Sequence, residues 1–437
     1  MRLLPSRIPS LNLSSPNLRL PLKLGRRSGE DLVGLDIQPG FVAAVQARVN
    51  GSIVAERAAS LALPADSVRD GEVIDEDALS EALRELFAEG GLSKRVRIGV
   101  ANQRTVLRTL ELPPVTDQKE LAAAVNFQAQ DQVPMPLNNA VLDFHPLGVV
   151  ETPAGPRQRV VLVAAQRDMI ERLLAAVRRA GLTPEGVDLS AFALIRSLYR
   201  PDPASSPEGE QTGRVLYLNV DGLTNLAIAE GKICRFTRVV GSGLEGMASE
   251  LAERRSIALT EARALLAAVD LSASAPASQD VSSAASAPVE ADPSQGVTPE
   301  QATDTGEQAQ SPEDAEESER AMSYEELSAV DSAPVAQAPQ SDADLWTVLE
   351  NGIRDISGEV RNSLDFHRSQ DGGGEVSHVV MSGSAQDIPG FAAALQASLG
   401  VEVRCEEIGF AEEALAASVS PHRLAIATGL AAVEAPR

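Results

Sequence analysis

The chain has 437 residues, with 62 acidic against 38 basic side chains and a formal net charge of −24. That balance argues against a general nucleic-acid binder, which presents a basic footprint to phosphates, and aromatic residues at 3% leave little for a base-stacking platform. Two cysteines and four histidines make neither a disulfide framework nor a metal cluster, while the length allows two or three ordinary domains.

The charge is unevenly placed. Residues 1–30 carry Arg2, Arg7, Arg19, Lys23, Arg26 and Arg27 against one acid, Glu30. Proline and serine break this segment too often for a helix. It reads as a disordered basic arm or as a basic, apolar segment that touches an anionic membrane surface or a partner. Nothing in it resembles a signal peptide, and no continuous apolar stretch is long enough to span a membrane. The expectation is a cytoplasmic protein, peripheral to a membrane.

Order is expected from Asp31. Leu32 to Ile37 reads as a strand, Gln38-Pro39-Gly40 as a turn and Phe41 to Val49 as a second strand. Asn50-Gly51 is a two-residue hairpin turn, and Ser52 to Ala62 is a third strand. A helix starts at Asp75 and runs to Ala88, with Leu79, Leu83 and Leu86 on one face. Strands follow at Arg95–Val100 and Val106–Leu110. Thr116 opens an imperfect capping box for a helix over 117–131, closed by Pro134 and Pro136. Val141–Phe144 and Arg159–Ala165 are strands, 167–180 is a helix ending at Gly181, Val187 is a short strand or turn, and Ala191–Tyr199 is helical. Residues 201–213 form a linker at the main domain boundary.

The second half repeats the opening: strands Val215–Val220, Thr224–Glu230 and Ile233–Val239. Gly241-Ser242-Gly243 precedes a helix over 244–255, and Thr260 caps another to Ala268. Residues 271–344 hold 16 acids and one basic residue, Arg320, so −15 of the −24 sits in one tract. With almost no aliphatic content, 271–341 cannot recover the entropy of ordering and is expected to be disordered, apart from a weak helix at 322–330. Trp346–His367 is a long amphipathic helix carrying Leu345, Val348, Leu349, Ile353, Ile356, Val360 and Leu364 at helical spacing. A strand at Val376–Met381, a helix over 388–399, a short strand at 401–403 and a small-residue helix at Leu424–Leu430 complete the chain. "VGLDIQPGFVAAVQARVNGSIV" and "VLYLNVDGLTNLAIAEGKIC" suggest an internal duplication.

These residues carry a resemblance. The stretches "LVGLDI", "LELPPVTDQKELAAAVNFQAQDQVPMPLNNAVLDFHPL", "VLVAAQRDMIERLLAAVRRAGLTPEGVDLSAFALIR" and "VSHVVMSGSAQDIPGFAAALQASLGVEV" resemble the type IV pilus assembly PilM family, relatives of the cell-division protein FtsA. The likeness covers 31–270 and 342–435. It implies an α/β, two-lobed actin-like (ribonuclease H-like) fold with an inserted small subdomain. Subdomain 1A would comprise 31–92 and 184–205, the insertion 1C 93–183, a linker 206–212, subdomain 2A 213–243 and 374–435, and 2B 244–373, which contains the acidic insertion 271–341.

In such folds two hairpin turns, one per lobe, grip the phosphates of ATP, and carboxylates organise Mg²⁺. The resemblance places Asp36, Gly40, Asp188, Asp221, Gly222, Thr224, Gly241, Gly243, Glu261, Gly383 and Ser384 at this site, with Asp36 and Asp221 as the magnesium ligands. The sequence departs from the pattern at the turns themselves. Gln38 and Pro39 stand where glycine and hydroxyl residues are usual, Pro39 lacks an N–H, the basic phosphate contact is missing, and Asn219 replaces an acid. Asp36 and Asp221 also fit as plain turn acids bonded to nearby N–H groups, and the glycines as ordinary tight turns. The clustering of departures points to a scaffold with weakened nucleotide chemistry and weak or absent hydrolysis, with no catalytic residue assigned. Cys234 and Cys405 read as buried structural thiols.

The family role implies an adaptor for the short cytoplasmic N-terminal peptide of a PilN-like inner-membrane protein, linked indirectly to the pilus motor ATPases and open to self-association. Asn126, Gln130 and Phe144 are candidate rim residues of a peptide groove, Phe144 reading equally as a core strand residue. Two alternatives remain at this point. An FtsA-like filament former would polymerise with ATP, although the tail "ATGLAAVEAPR" holds no amphipathic anchor. A sugar-kinase-like phosphotransferase would need a catalytic acid and intact phosphate turns.

Overall fold

The computed structural model describes residues 32–50, 52–153, 155–200, 213–272, 338–370, 373–411 and 419–432, with the backbone alone at 50 and 338–342. The arm 1–30, the linker 206–212 and the helix expected at 322–330 lie outside these residues.

The described residues begin with an antiparallel meander of β1 (Leu32–Gln38), β2 (Phe41–Asn50) and β3 (Ser52–Ala62). A small ribbon of β4 (Val68–Arg69) and β5 (Glu72–Val73), absent from the sequence reading, leads into α1 (Glu76–Glu89), capped by Asp75. β6 (Arg95–Val100) then pairs parallel with β1. Next come β7 (Val106–Leu112), α2 (Gln118–Gln132), β8 (Ala140–Thr152) and β9 (Gly155–Gln166), which form a separate sheet in the order β7-β9-β8 with α2 against it. α3 (Arg167–Arg179), β10 (Thr183–Leu189) and α4 (Ser190–Leu198) follow.

β10 is a full strand, paired parallel with β6, where a short strand or turn at Val187 was expected. It lies at the sheet edge and bulges between Pro184 and Gly186. Edge strands tolerate both residues, because no ladder partner needs the missing N–H. The same cause hides most of β8, which extends well past Phe144. Its register shifts between Pro146 and Gly148, and it too is an edge strand.

The second half repeats the pattern. β11 (Arg214–Val220), β12 (Thr224–Glu230) and β13 (Ile233–Val240) form an antiparallel meander. After it come α5 (Leu244–Arg255), α6 (Leu259–Ala267) and the long α7 (Ala338–Ser369). β14 (Val376–Ser382) pairs parallel with β11, α8 (Phe391–Leu399) follows a 3₁₀ turn at Ser384–Asp387, and β15 (Val403–Cys405) pairs parallel with β14. β16 (Gly409–Phe410) joins β3 of the first sheet, and α9 (Ala425–Ala431) ends the described chain. The two main sheets therefore share one core order: β3-β2-β1-β6-β10 and β13-β12-β11-β14-β15. Three antiparallel strands are followed by two parallel ones in each.

Several boundaries differ from expectation for local reasons. α2 is capped by Asp117 rather than Thr116: the Asp117 carboxylate accepts from the N–H groups of Lys119 (2.6 Å) and Glu120 (3.1 Å). Thr260 lies inside the first turn of α6, whose N-cap is Ala258. α7 starts eight residues before Trp346; Pro339 falls in its first turn, where an N–H is not needed. α8 begins at Phe391 rather than 388, because Pro389 and a left-handed Gly390 intervene. The short strand is Val403–Cys405, not 401–403. At the start of the acidic tract, Leu271 donates its N–H to the Pro389 carbonyl at 2.8 Å and packs on the second core, while 273–337 lie outside the described residues.

The core has two main parts. α4 and α9 pack against each other, α9 on β1, β2 and β6, and α4 on β11, β12 and β13. The approach of α9 to β1 is close: a Cβ at Gly34 would lie 1.9 Å from the Ala427 carbonyl oxygen, so only glycine fits there. Helices α5 to α8 cover the second sheet. All seven apolar residues expected on α7 are buried in that core. Among the described residues, no helix is long and apolar enough to cross a membrane.

Candidate functional site

The turn between β1 and β2 and the turn between β11 and β12 come together, and three carboxylates near them are each held by side chains of this chain. Asp36, at the end of β1, is 1% exposed. Side chains two apart on a strand share a face, and Gln38 uses this to donate its amide to both Asp36 oxygens, at 3.2 and 3.4 Å. Burial, followed by the charge of Asp221, pushes the Asp36 carboxyl up to about 8, against the lowering effect of the Gln38 hydrogen bond.

Asp221, fully buried after β11, is the most heavily bonded of the three. Asn219 donates to its Oδ2 at 3.0 Å, and the N–H and hydroxyl of Ser384 both donate to Oδ1, at 2.7 and 2.6 Å. Ser382 in turn fixes Asn219 by donating to its Oδ1 at 2.8 Å. Arg423, from the 3₁₀ turn before α9, stands 3.9 Å from Asp221 Oδ1 and lies over the Phe41 ring, 4.3 Å from its centroid. Burial raises the Asp221 carboxyl above the usual range, opposed by Arg423, Ser384 and Asn219. Arg423 thus links the first turn to the acid of the second.

Asp188, at the end of β10, is committed elsewhere. It pairs with Arg196 of α4 at 2.8 Å, both side chains buried, and its other oxygen accepts from the Leu189 N–H at 2.9 Å. Arg196 also donates to the Gly429 carbonyl of α9 at 2.6 Å.

The turns themselves are in direct contact. A Cβ on Gly222 would lie 2.2 Å from the Pro39 carbonyl oxygen. Gly40, at φ +88°, sits against the ion pair between Glu245 of α5 and Arg263 of α6. Gly243 lies close to the Asp221 and Gly222 carbonyls, and Gly383 packs on Val220. Thr224 donates its hydroxyl to the Ser242 carbonyl, tying β12 to the 241–243 loop.

Of the residues proposed from sequence, Asp36, Gly40, Asp221, Gly222, Thr224, Gly243, Gly383 and Ser384 therefore gather around the two turns. Gly241 is exposed and faces Asp70 and Gln103 instead. Glu261 is exposed on α6, and Arg263 two residues later makes the inward ion pair. Sequence reading missed Arg196, Arg263 and Arg423. Gln38, expected as the first residue of the turn, instead ends β1, and the two-residue strand period is the signal that places it beside Asp36; the arginines reach their partners across long sequence separations.

A magnesium triphosphate does not fit this donor set. Mg²⁺ needs near-octahedral oxygen ligation, supplied by ionised carboxylates. Here burial raises both acids, Asp36 to about 8, and each already accepts from a neighbour, Gln38 for Asp36 and Asn219 and Ser384 for Asp221. The first turn presents Pro39, which has no N–H to give, and its carbonyl is packed onto the second turn.

The rim residues proposed for a partner separate. Asn126 and Gln130 are exposed on α2, Asn126 donating to the Ala122 carbonyl at 2.9 Å within the helix. Phe144 is half-buried against the core beneath α2 and does not join them. Phe127, which the sequence reading passed over, is next to Asn126 on the same helix, with 72% of its surface exposed. Cys234 is buried, with its thiol pushed up to about 12 by burial. Cys405 is exposed, contrary to the buried thiol expected.

A protein-family model described as type IV pilus assembly protein PilM matches residues 34–273. Among solved structures the chain is similar to the PilM–PilN type IV pilus biogenesis complex, with a TM-score of 0.63 and 20% identity over 92% of this chain and 97% of that one. It also matches the ethanolamine utilization protein EutJ from Carboxydothermus hydrogenoformans, with a TM-score of 0.43 and 14% identity over 91% of this chain and 88% of that one. MreB 5 of Spiroplasma citri bound to AMPPNP matches with a TM-score of 0.41 and 11% identity, over 91% of this chain and 94% of that one.

Proposed function

The chain belongs to the type IV pilus assembly protein PilM family, with a mixed α/β actin-like fold, and from that membership we propose that it is a cytoplasmic scaffold of the pilus assembly machine. Its work is to bind the cytoplasmic N-terminal peptide of a PilN-like inner-membrane protein, which holds it at the inner face of the membrane. The observation that carries this reading is the family match, supported by a likeness spanning nearly all of both chains to a structure described as a PilM–PilN complex.

In this reading the two lobes are built on the two main sheets, and the insertion 1C is narrower than the expected 93–183, because β6 pairs with β1 and α3 packs on the first core, which leaves both with 1A. The sheet β7-β9-β8 with α2 is the inserted subdomain and faces the partner. An adaptor needs an exposed apolar contact beside polar groups that orient a peptide. Phe127 flanked by Asn126 and Gln130 supplies that combination. A side chain so exposed contributes little to the fold and much to a contact that buries it.

A fluorescently labelled peptide of the PilN-like protein's N-terminus, titrated with the full chain, tests the reading. Saturable binding in the micromolar range, about −8 kcal/mol, is expected. Phe127→Ser should weaken it about tenfold or more while leaving the melting temperature unchanged. Absence of binding at ~100 µM, some 5 kcal/mol of affinity, would contradict it.

A further inference from the structure

We infer that the cleft between the two turns is filled by this chain's own side chains, so that it takes no magnesium nucleotide and stays closed without one. This stands apart from the identity of any partner.

The first reason is that the three acids of the site already have partners within the chain. Gln38 caps Asp36. Asn219 and Ser384 hold Asp221, with Arg423 beside it. Arg196 neutralises Asp188 and then reaches Gly429. Two guanidinium groups thus stand beside buried carboxylates at positions where a bound divalent cation would otherwise be the compensating charge. A buried acid needs such compensation, and an arginine with a fixed fork supplies it permanently.

The second reason is steric. Backbone N–H groups must point into an open gap for a turn to cradle a phosphate. Here the gap is closed by backbone: the Pro39 carbonyl rests on Gly222, where even a methyl group would collide. A carbonyl oxygen at that point also presents negative partial charge where a phosphate would bring more. Gly40 is pressed against the Glu245–Arg263 pair, so Arg263 is already engaged by a carboxylate.

The third reason is connectivity. Arg423 lies on the Phe41 ring from the first turn and beside Asp221 of the second, while belonging to the segment before α9. One side chain therefore joins three distant parts of the chain, by a ring contact and a 3.9 Å charge contact rather than by a hydrogen bond at its Nε. A nucleotide commonly performs this bridging in a hinged cleft by binding both halves; here the bridge is covalent to the protein.

Calorimetric titration of the full chain with Mg²⁺–ATP, Mg²⁺–ADP and Mg²⁺ alone, paired with thermal melts at the same concentrations, tests the inference. The expected result is no saturable heat and no rise in melting temperature, meaning a Kd weaker than ~1 mM. Saturable binding tighter than that would overturn it. So would a nucleotide-induced rise in melting temperature that Arg423→Ala abolishes, since Arg423 would then be a phosphate ligand rather than a clasp.

Discussion

At the scale of single residues, the two turns show how little of a buried site is visible in the order of amino acids. Asp36 and Asp221 stand out as acids beside glycine turns, and the structure does bring them near each other. What holds them is less legible. Gln38 is two residues from Asp36 and falls on the same strand face by simple alternation, but Arg423 is far from both acids in sequence. No local pattern announces such a contact, because only the closing of the two sheets creates it. Asp36 yields a direct prediction. Its carboxyl is raised to about 8, so the folded state keeps a proton that the unfolded chain loses near pH 4. Stability therefore falls, from this group, as pH rises from about 4 to about 8 and changes no further above that. Asp36→Asn removes the penalty. Its melting temperature relative to the parent should climb across this window, by several degrees in total. A difference independent of pH would show that the group titrates normally.

At the scale of elements, strong periodicity was readable and edge behaviour was not. The α7 seam appears as seven apolar residues at helical spacing, and all seven are buried. The central strands β1, β11 and β12 each carry an unbroken apolar run, LVGL, VLYL and LAIA. By contrast, β10 and the far part of β8 contain proline and glycine, which ordinarily signal turns. Both strands lie at sheet edges, where those residues cost no hydrogen bond, so the usual signal misleads. The cap of α2 is a similar near miss. Thr116 and Asp117 are adjacent and both are good capping residues; only the backbone geometry selects the aspartate. Asp117→Ala should therefore cost about 1 kcal/mol in urea unfolding, with Thr116→Ala costing only a few tenths. The reverse ranking would put the cap where the sequence first suggested it.

At the scale of the whole molecule, two sheets with one strand order explain why the opening hairpins of each half read alike. The net charge of −24 describes mainly one tract and says little about the body that does the binding. That body carries an exposed aromatic, Phe127, on the added sheet-and-helix unit, and the proposed contact with a partner is placed there. Sites that bind gain protection from exchange, while surfaces left free do not. The most direct test is amide hydrogen exchange on the full chain with and without the PilN-type peptide. The account predicts slowed exchange in α2 and β8, within residues 118–152, and no change in the turns at 36–41 and 219–224. Protection confined to those two turns would contradict it.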